Sequence, residues 1–136
     1  MPVKSFEHVI PFTQARGEGW LPIVSVGFIS SNGSEYELPL LFDTGATEII
    51  LPPEFVEDFP PGEPAQANVG GAKQPAIGIL TNATVEFMGH RMKCEILLLD
   101  LPANPLRAGL FGRGCFKPFG FGFWESTREL YVTSEP

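Results

Sequence analysis

Apolar and polar residues alternate with a period of two through most of this chain, the spacing of half-buried strands. Apolar residues dominate from Trp20 to Ile29, with β-branched Ile23, Val24, Val26 and Ile29, and the run stops at Ser30-Ser31-Asn32-Gly33-Ser34. An Asn-Gly pair supplies positive φ at low cost, so a strand here enters a hairpin. The return strand, Glu35 to Phe42, puts Tyr36, Leu38, Leu40 and Phe42 on one face. Pro39 has no N–H for a ladder, so that side of it must face away from a neighbour. Thr47 to Leu51 resumes as a β-branched strand closed by Pro52-Pro53. Glu54 to Phe59 then fits one short helical turn, since proline is tolerated at a helix start.

Downstream, Ala65 to Ile79 carries Gly70-Gly71-Ala72 at its middle and little bulk on either side, which predicts a mobile hairpin with a glycine tip. Ile77 to Phe87 alternates through Thr81, Ala83, Val85 and Phe87 and turns at Gly89-His90; His90 reads as a turn residue and not as a catalytic base. Arg91 to Leu99 sets Met92, Cys94, Ile96 and Leu98 on one face, and Leu97 and Leu99 make the other face apolar too, so burial on both sides is expected. Pro102 to Pro105 is a loop, and Ala108 to Phe111 a short strand ending at Gly112-Arg113. Phe121 to Trp124 and Glu129 to Val132 flank Ser126-Thr127-Arg128 as a closing hairpin. No repeat or low-complexity linker interrupts residues 1–136, so the pattern predicts one all-β domain with at most short helices.

Composition sharpens this picture. Fourteen prolines and fifteen glycines in 136 residues favour short strands and turns over helices. Hydrophobic residues at 43% against 18% charged place the chain among globular proteins. The net charge of −7 comes with no cluster of Lys or Arg, which argues against nucleic acid as a partner and is put down to solubility. The first residues lack a signal-type apolar core and no run of about eighteen apolar residues occurs, so no membrane association and a cytoplasmic location are expected. Cys94 and Cys115 have no C-x-x-C pairing and only two histidines to join them, so no metal site is expected. In a reducing compartment both are small packed hydrophobes, with a disulfide as the alternative. Without a secretion signal, the glycosylation sequons at Asn32 and Asn82 are accidental.

The chemistry gathers at Leu40-Leu41-Phe42-Asp43-Thr44-Gly45-Ala46-Thr47, where an apolar run delivers one carboxylate into a tight Thr-Gly turn. An Asp-Thr-Gly triplet arises by chance in a chain of this length with a probability on the order of a few per cent. Taken alone, Asp43 could equally cap its own turn as an Asx motif. A second glycine turn behind apolar residues, Leu110-Phe111-Gly112-Arg113, changes the weighing. The two stretches together resemble the retropepsin-like aspartic proteases, single-domain relatives of pepsin that act as homodimers.

That resemblance implies a small, closed-barrel-like fold with a flap hairpin, and an aspartic endopeptidase without cofactor that acts on peptide or protein substrates. It makes Asp43 the catalytic residue, lets Thr44 link two active-site turns across a dimer, and has Gly45 admit the substrate backbone. Ala46, Gly70, Gly71 and Ala72 line the substrate, the last three as the flap, while Gly112 and Arg113 support the turns. Peptide hydrolysis needs one group to take a proton from water and another to give one to the carbonyl oxygen. Asp58 and Asp100 begin no Asp-Thr/Ser-Gly turn, so the second acid must come from a second copy of the chain. Two carboxyls about 3 Å apart cannot both ionise, and the shared proton leaves one base and one acid, a family property carried by the resemblance.

Ala46 stands where pepsin-like relatives often carry a hydroxyl that favours the charged carboxylate, which predicts activity from mildly acidic towards neutral pH. Thr47 stands where viral members carry an acid paired with the arginine matching Arg113, leaving Glu48 or a backbone carbonyl as substitutes. Gly114-Cys115-Phe116-Lys117-Pro118 replaces helix-forming residues, so a helix there is short or broken. Ile50 and Ile77 are expected in the cleft, favouring hydrophobic residues around the cut. Two other functions fit parts of the pattern: an inactive dimeric peptide-binding module on the same fold, and an unrelated small barrel using its phenylalanines for an apolar ligand.

Overall fold

A computed structural model describes residues 7–15, 17–68, 73–100 and 108–134. Twelve strands run in the order β1 His8–Pro11, β2 Thr13–Ala15, β3 Gly19–Leu21, β4 Ile23–Ile29, β5 Glu35–Phe42, β6 Ile49–Leu51, β7 Glu63–Ala67, β8 Ala76–Phe87, β9 His90–Leu98, β10 Gly109–Phe111, β11 Phe119–Trp124 and β12 Glu129–Ser134. Two short 3₁₀ turns, Pro53–Asp58 and Arg113–Cys115, are the described helical elements. The architecture is all-β, as the alternation predicts.

Seven strands form one sheet in the order β4-β5-β10-β6-β9-β8-β7, and β8 also pairs with β4, so the sheet closes on itself. The long β8 makes this possible by changing partners along its length. Ala76–Leu80 pairs with β7, whereas Thr84–Glu86 pairs with Gly27–Ile29 of β4. Side chains that alternate inward fill the ring: Phe28, Leu40, Ile49, Leu51, Val85, Phe87, Ile96 and Phe111 are at most 1% exposed. The end of β9 is buried on both faces, with Ile96 to Leu99 all at 3% exposure or less, as expected from its continuous apolar run.

Several boundaries fall elsewhere than the pattern suggests. Pro22 divides the apolar run from Trp20 into β3 and β4, and β3 forms a small hairpin with β2. The turn between β8 and β9 is Met88-Gly89, with φ of 49° and 80°, and His90 is already paired with Phe87. Two consecutive positive φ values give the type I′ geometry that matches strand twist. Pro39 lies opposite Ser25 with its carbonyl turned to the Ala108 N–H at 2.7 Å, so the missing donor falls on the side away from β4. The hairpin tip at Gly70, Gly71 and Ala72 lies outside the described residues.

The first 3₁₀ turn is pinned to the barrel by polar and aromatic contacts. Tyr36 donates its hydroxyl to the Asp58 carboxylate at 2.8 Å, and the Ser31 N–H donates to the Asp58 carbonyl. Partial burial, then the Asp58 hydrogen bond and charge, push the Tyr36 hydroxyl well above the ordinary phenol range.

A second sheet of three strands, β1-β12-β11, stands apart from the ring. Leu130 and Val132 of β12 are fully buried against the barrel core, joined by Phe119 of β11. The sulfurs of Cys94 on β9 and Cys115 in the second 3₁₀ turn are 2.03 Å apart. The two cysteines are thus a disulfide and not the pair of packed thiols expected from the sequence; topology brings them together across a separation of 21 residues that spacing alone does not bridge.

Candidate active site

Asp43 follows the last residue of β5 and precedes β6, two strands that are consecutive in sequence but not neighbours in the sheet. Strand β10 lies between them, parallel to β5 with Phe111 opposite Phe42 and antiparallel to β6 with Leu110 opposite Ile50. The Asp43 turn therefore bridges the end of β10 and cannot fold back as a simple hairpin. Its backbone is held from below: the Asp43 N–H donates to the Phe111 carbonyl at 3.1 Å. On the far side, the Arg113 N–H donates to the Ala46 carbonyl at 2.9 Å and the Gly114 N–H to the Thr47 carbonyl at 2.7 Å.

This crossing requires glycine for space. A Cβ on Gly112 would lie 2.0 Å from the Glu48 carbonyl oxygen and 2.9 Å from that of Ala46. Its φ of −93° is open to any residue, so the demand is steric and not conformational. Gly109 is under the same constraint, with a Cβ placed 1.9 Å from the Ile50 carbonyl oxygen. Gly112 thus leaves room for the turn to cross, and Gly109 and Gly114 are two further glycines at this crossing that the sequence reading did not single out. Three glycines within six residues, around a strand too short to need them as turns, are the signal that could have found them.

Arg113 meets the turn through its main chain. Its guanidinium is exposed and makes no ion pair among the described residues, and the Thr47 hydroxyl takes the Glu48 carboxylate instead. What Arg113 contributes is its main-chain N–H. The 3₁₀ turn that follows is a single turn, in keeping with the Gly114–Pro118 composition.

The Asp43 carboxylate accepts the Gly45 N–H at 2.9 Å through Oδ1 and is partly exposed, so the Asx-type turn exists and one oxygen remains turned to other partners. Thr44 and Gly45 are exposed beside it, and Ala46 is buried at 9% exposure, its methyl offering no hydrogen bond to the carboxylate. Beneath the turn lies an aromatic cluster. The Phe42 ring stacks on Phe116 at a centroid distance of 4.7 Å and touches Phe121 at 4.7 Å and Phe123 at 5.1 Å. The phenylalanines of the C-terminal hairpin thus pack the floor of the Asp43 turn, which fixes its position without any polar group competing for the carboxylate.

The β7–β8 hairpin leaves Ile77 at 73% and Ile79 at 38% exposure, large apolar side chains without cover. Among the described residues no cluster of three or more His, Cys, Asp or Glu could hold a metal ion, and no helix is long and apolar enough to cross a membrane.

No protein-family model matches the chain, and no curated protein does. Solved structures do match in fold. A retropepsin-like aspartic protease from Rickettsia conorii superposes with a TM-score of 0.56 at 20% identity, covering 97% of this chain and 96% of that one. EIAV protease, in complex with the inhibitor HBY-793, superposes with a TM-score of 0.51 at 22% identity, covering 77% of this chain and 92% of that one. The fold is that of the retropepsin-like aspartic proteases.

Proposed function

We propose that this chain is an aspartic endopeptidase whose active site forms when two copies each bring one Asp43 to a shared two-fold axis. The observation that carries this reading is the clamped Asp43 turn: a partly exposed carboxylate whose backbone is fixed by Phe111 on one side and by Arg113 and Gly114 on the other. Such rigidity serves chemistry that depends on where a proton donor and acceptor stand.

In the dimer, the ionised carboxylate takes a proton from a water molecule as its oxygen attacks the scissile carbonyl carbon. The protonated partner gives its proton to the carbonyl oxygen, forming a tetrahedral diol. Collapse of the diol breaks the C–N bond as one of its hydroxyls returns a proton to the second aspartate, while the first aspartate gives its proton to the leaving amine, which restores the singly protonated pair. Exposed Thr44 is free to reach the partner copy, and Gly45 leaves room for the peptide backbone. The β7–β8 hairpin is taken as the flap that holds an extended substrate by main-chain hydrogen bonds, the role expected of Gly70, Gly71 and Ala72, which lie outside the described residues. Ile77 and Ile79 present apolar surface to it, which supports hydrophobic residues on either side of the cut.

The proposed compartment is the cytoplasm. There, the Cys94–Cys115 disulfide stands as an exception to a reducing environment, with both cysteines buried, at 4% and 1% exposure.

A diverse peptide library tests the function. The wild type cuts and the folded Asp43→Asn dimer does not. With Ala46 beside the dyad, the pH–rate profile extends from mildly acidic towards neutral pH, and a profile confined below about pH 4 would overturn that assignment. A folded wild-type dimer that cuts nothing favours the second reading, a dimeric peptide-binding module, which the Gly45 hydrogen bond satisfying Asp43 within its own turn would suit.

A further inference from the structure

We infer that the Cys94–Cys115 disulfide is a redox-operated lock on the Asp43 turn: oxidised, it holds the second 3₁₀ turn against the Asp43 turn, and reduced, it lets that 3₁₀ turn move away while the barrel stays folded. The consequence for cleavage rests on the aspartic-peptidase reading; the lock itself does not.

Four consecutive residues carry the argument. Arg113 and Gly114 donate their main-chain N–H groups to the Ala46 and Thr47 carbonyls at 2.9 and 2.7 Å, Cys115 is bonded to Cys94, and the Phe116 ring stacks on Phe42 at 4.7 Å. One side of the Asp43 turn therefore hangs on a single 3₁₀ turn. The means that turn has of its own are few: no side chain caps its start, and Arg113 and Gly114 are both exposed. A lone turn of three residues orders its backbone for too few hydrogen bonds to be stable by itself. The disulfide fastens it to β9, just before the stretch where β9 pairs with β6 from Ile96 onward.

The barrel does not share this dependence. Its ring closes through β4 and β8, and on the other side of the Asp43 turn the Asp43 N–H is held by Phe111 of β10. Neither contact involves the 3₁₀ turn. Without the bond, Cys94 and Cys115 are two buried thiols that pack as small hydrophobes and leave no charge behind. Reduction thus acts locally, at the turn, and the ring persists. In a reducing compartment a disulfide is ordinarily transient, catalytic or redox-sensing. This one sits where its loss passes through two hydrogen bonds to the turn that carries Asp43.

A dithiol balances the step. One thiolate of the reductant attacks a protein sulfur and the S–S bond breaks; its second thiolate then displaces that sulfur, so two electrons pass to the chain, two protons complete its thiols, and the reductant leaves as a disulfide. Glutathione disulfide runs the exchange in reverse and leaves as two glutathione thiols. Because both cysteines are buried, attack waits for the 3₁₀ turn to lift, and the contacts that hold the turn also set how fast the lock opens.

Hydrogen exchange on the wild-type chain, oxidised and after reduction by dithiothreitol, tests the lock without any need for activity. The Arg113 and Gly114 amides exchange at least about tenfold faster in the reduced chain, while the Asp43 amide and those of β8 and β9 keep their protection. Peptide cleavage by equal amounts of dimer reads the consequence: kcat falls by about tenfold on reduction with KM little changed, and glutathione disulfide restores it. Cys94→Ala/Cys115→Ala cuts at the reduced rate under both conditions. Equal exchange at Arg113 and Gly114 in the two states overturns the lock. Loss of protection throughout β8 and β9 overturns it as well, since the bond would then staple the whole domain, and so does a double variant that still responds to dithiothreitol. Loosened amides with cleavage unchanged overturn the coupling to Asp43. Amides that loosen on reduction in a chain that cuts nothing in either state sustain the lock and remove the peptidase.

Discussion

The barrel and the terminal sheet solve the edge problem in opposite ways. In the barrel, β8 turns back to pair with β4, so the ring closes and, among the described residues, the β7 side of the projecting hairpin is its open edge. The terminal sheet stops at β11, an apolar strand with nothing beyond it among the described residues. The contrast separates folding from function. The barrel holds the Asp43 turn within one chain, whereas the proposed shared dyad needs a second carboxylate from another copy. Phe42 joins the two regions, its ring packed on Phe111 of the barrel and on Phe121 and Phe123 of the sheet.

Asp43→Asn breaks the comparison on the functional side alone and has the largest expected effect. Peptide cleavage falls by about a thousandfold or more, since neither half of the dyad can then act as base. Thermal stability and solution mass stay close to wild type, because the amide still accepts the Gly45 N–H through its oxygen. Loss of the dimer in this variant would show that the carboxylates serve assembly as well as chemistry.

Gly112→Ala strikes the barrel side. The added methyl meets the Glu48 carbonyl oxygen at 2.0 Å, a main-chain atom that cannot swing aside, so the crossing of β10 under the Asp43 turn must open. A loss of about 3 kcal/mol in denaturant unfolding is expected, together with weakened cleavage. A neutral result would mean that the clamp is looser than its hydrogen bonds indicate.

Removing the disulfide sharpens the comparison further. The Cys94–Cys115 bond ties the 3₁₀ turn that donates to Ala46 and Thr47 to β9 on the barrel wall. For a loop of this length the Cys94→Ala/Cys115→Ala variant loses about 3 kcal/mol. Because the tie bears on the clamp, cleavage at fixed dimer content drops along with stability. Stability lost with cleavage intact would assign the bond to the barrel only.

Local patterns were legible in the sequence and long-range ones were not. Strand β5 has the bounds that its alternation and the preceding Asn-Gly turn imply, and the two-sided burial of β9 follows from Leu97 and Leu99 interrupting the polar positions. By contrast β1 is four residues long and exists through β12, more than a hundred residues away, which no local period records. The insertion of β10 between β5 and β6 is likewise a tertiary fact, and with it the reason that Gly109, Gly112 and Gly114 are needed. The tight turn at Asp43 and Gly45 was readable because the motif fixes its geometry through the backbone. The partner of the Arg113 side chain was left open in the sequence because it depends on which residue follows the turn, and here the Thr47 hydroxyl occupies the Glu48 carboxylate. The contacts of Phe42 with Phe116, Phe121 and Phe123 could be guessed in kind from the phenylalanines between residues 116 and 123, but not in target.

The smallest effect tests whether the barrel side is evenly rigid away from the clamp. Tyr36→Phe removes the hydroxyl that donates to Asp58 and keeps the ring stacked near Phe28 and Phe55. A partly exposed hydrogen bond of this kind contributes about 1 kcal/mol. Its pH dependence has a definite sign. Burial and Asp58 raise the phenol's pKa in the folded state above its ordinary value of 10.0, so the folded chain keeps a proton that the unfolded chain gives up. The hydroxyl's contribution is therefore complete below about pH 10 and declines above it. Wild type and Tyr36→Phe should differ by a constant amount from pH 7 to 9 and converge at higher pH, read from chemical denaturation at each pH. A gap that instead widens on raising the pH would mean that the Asp58 contact is not what holds the proton, and that the first 3₁₀ turn is tied to the barrel by its aromatic stacking alone.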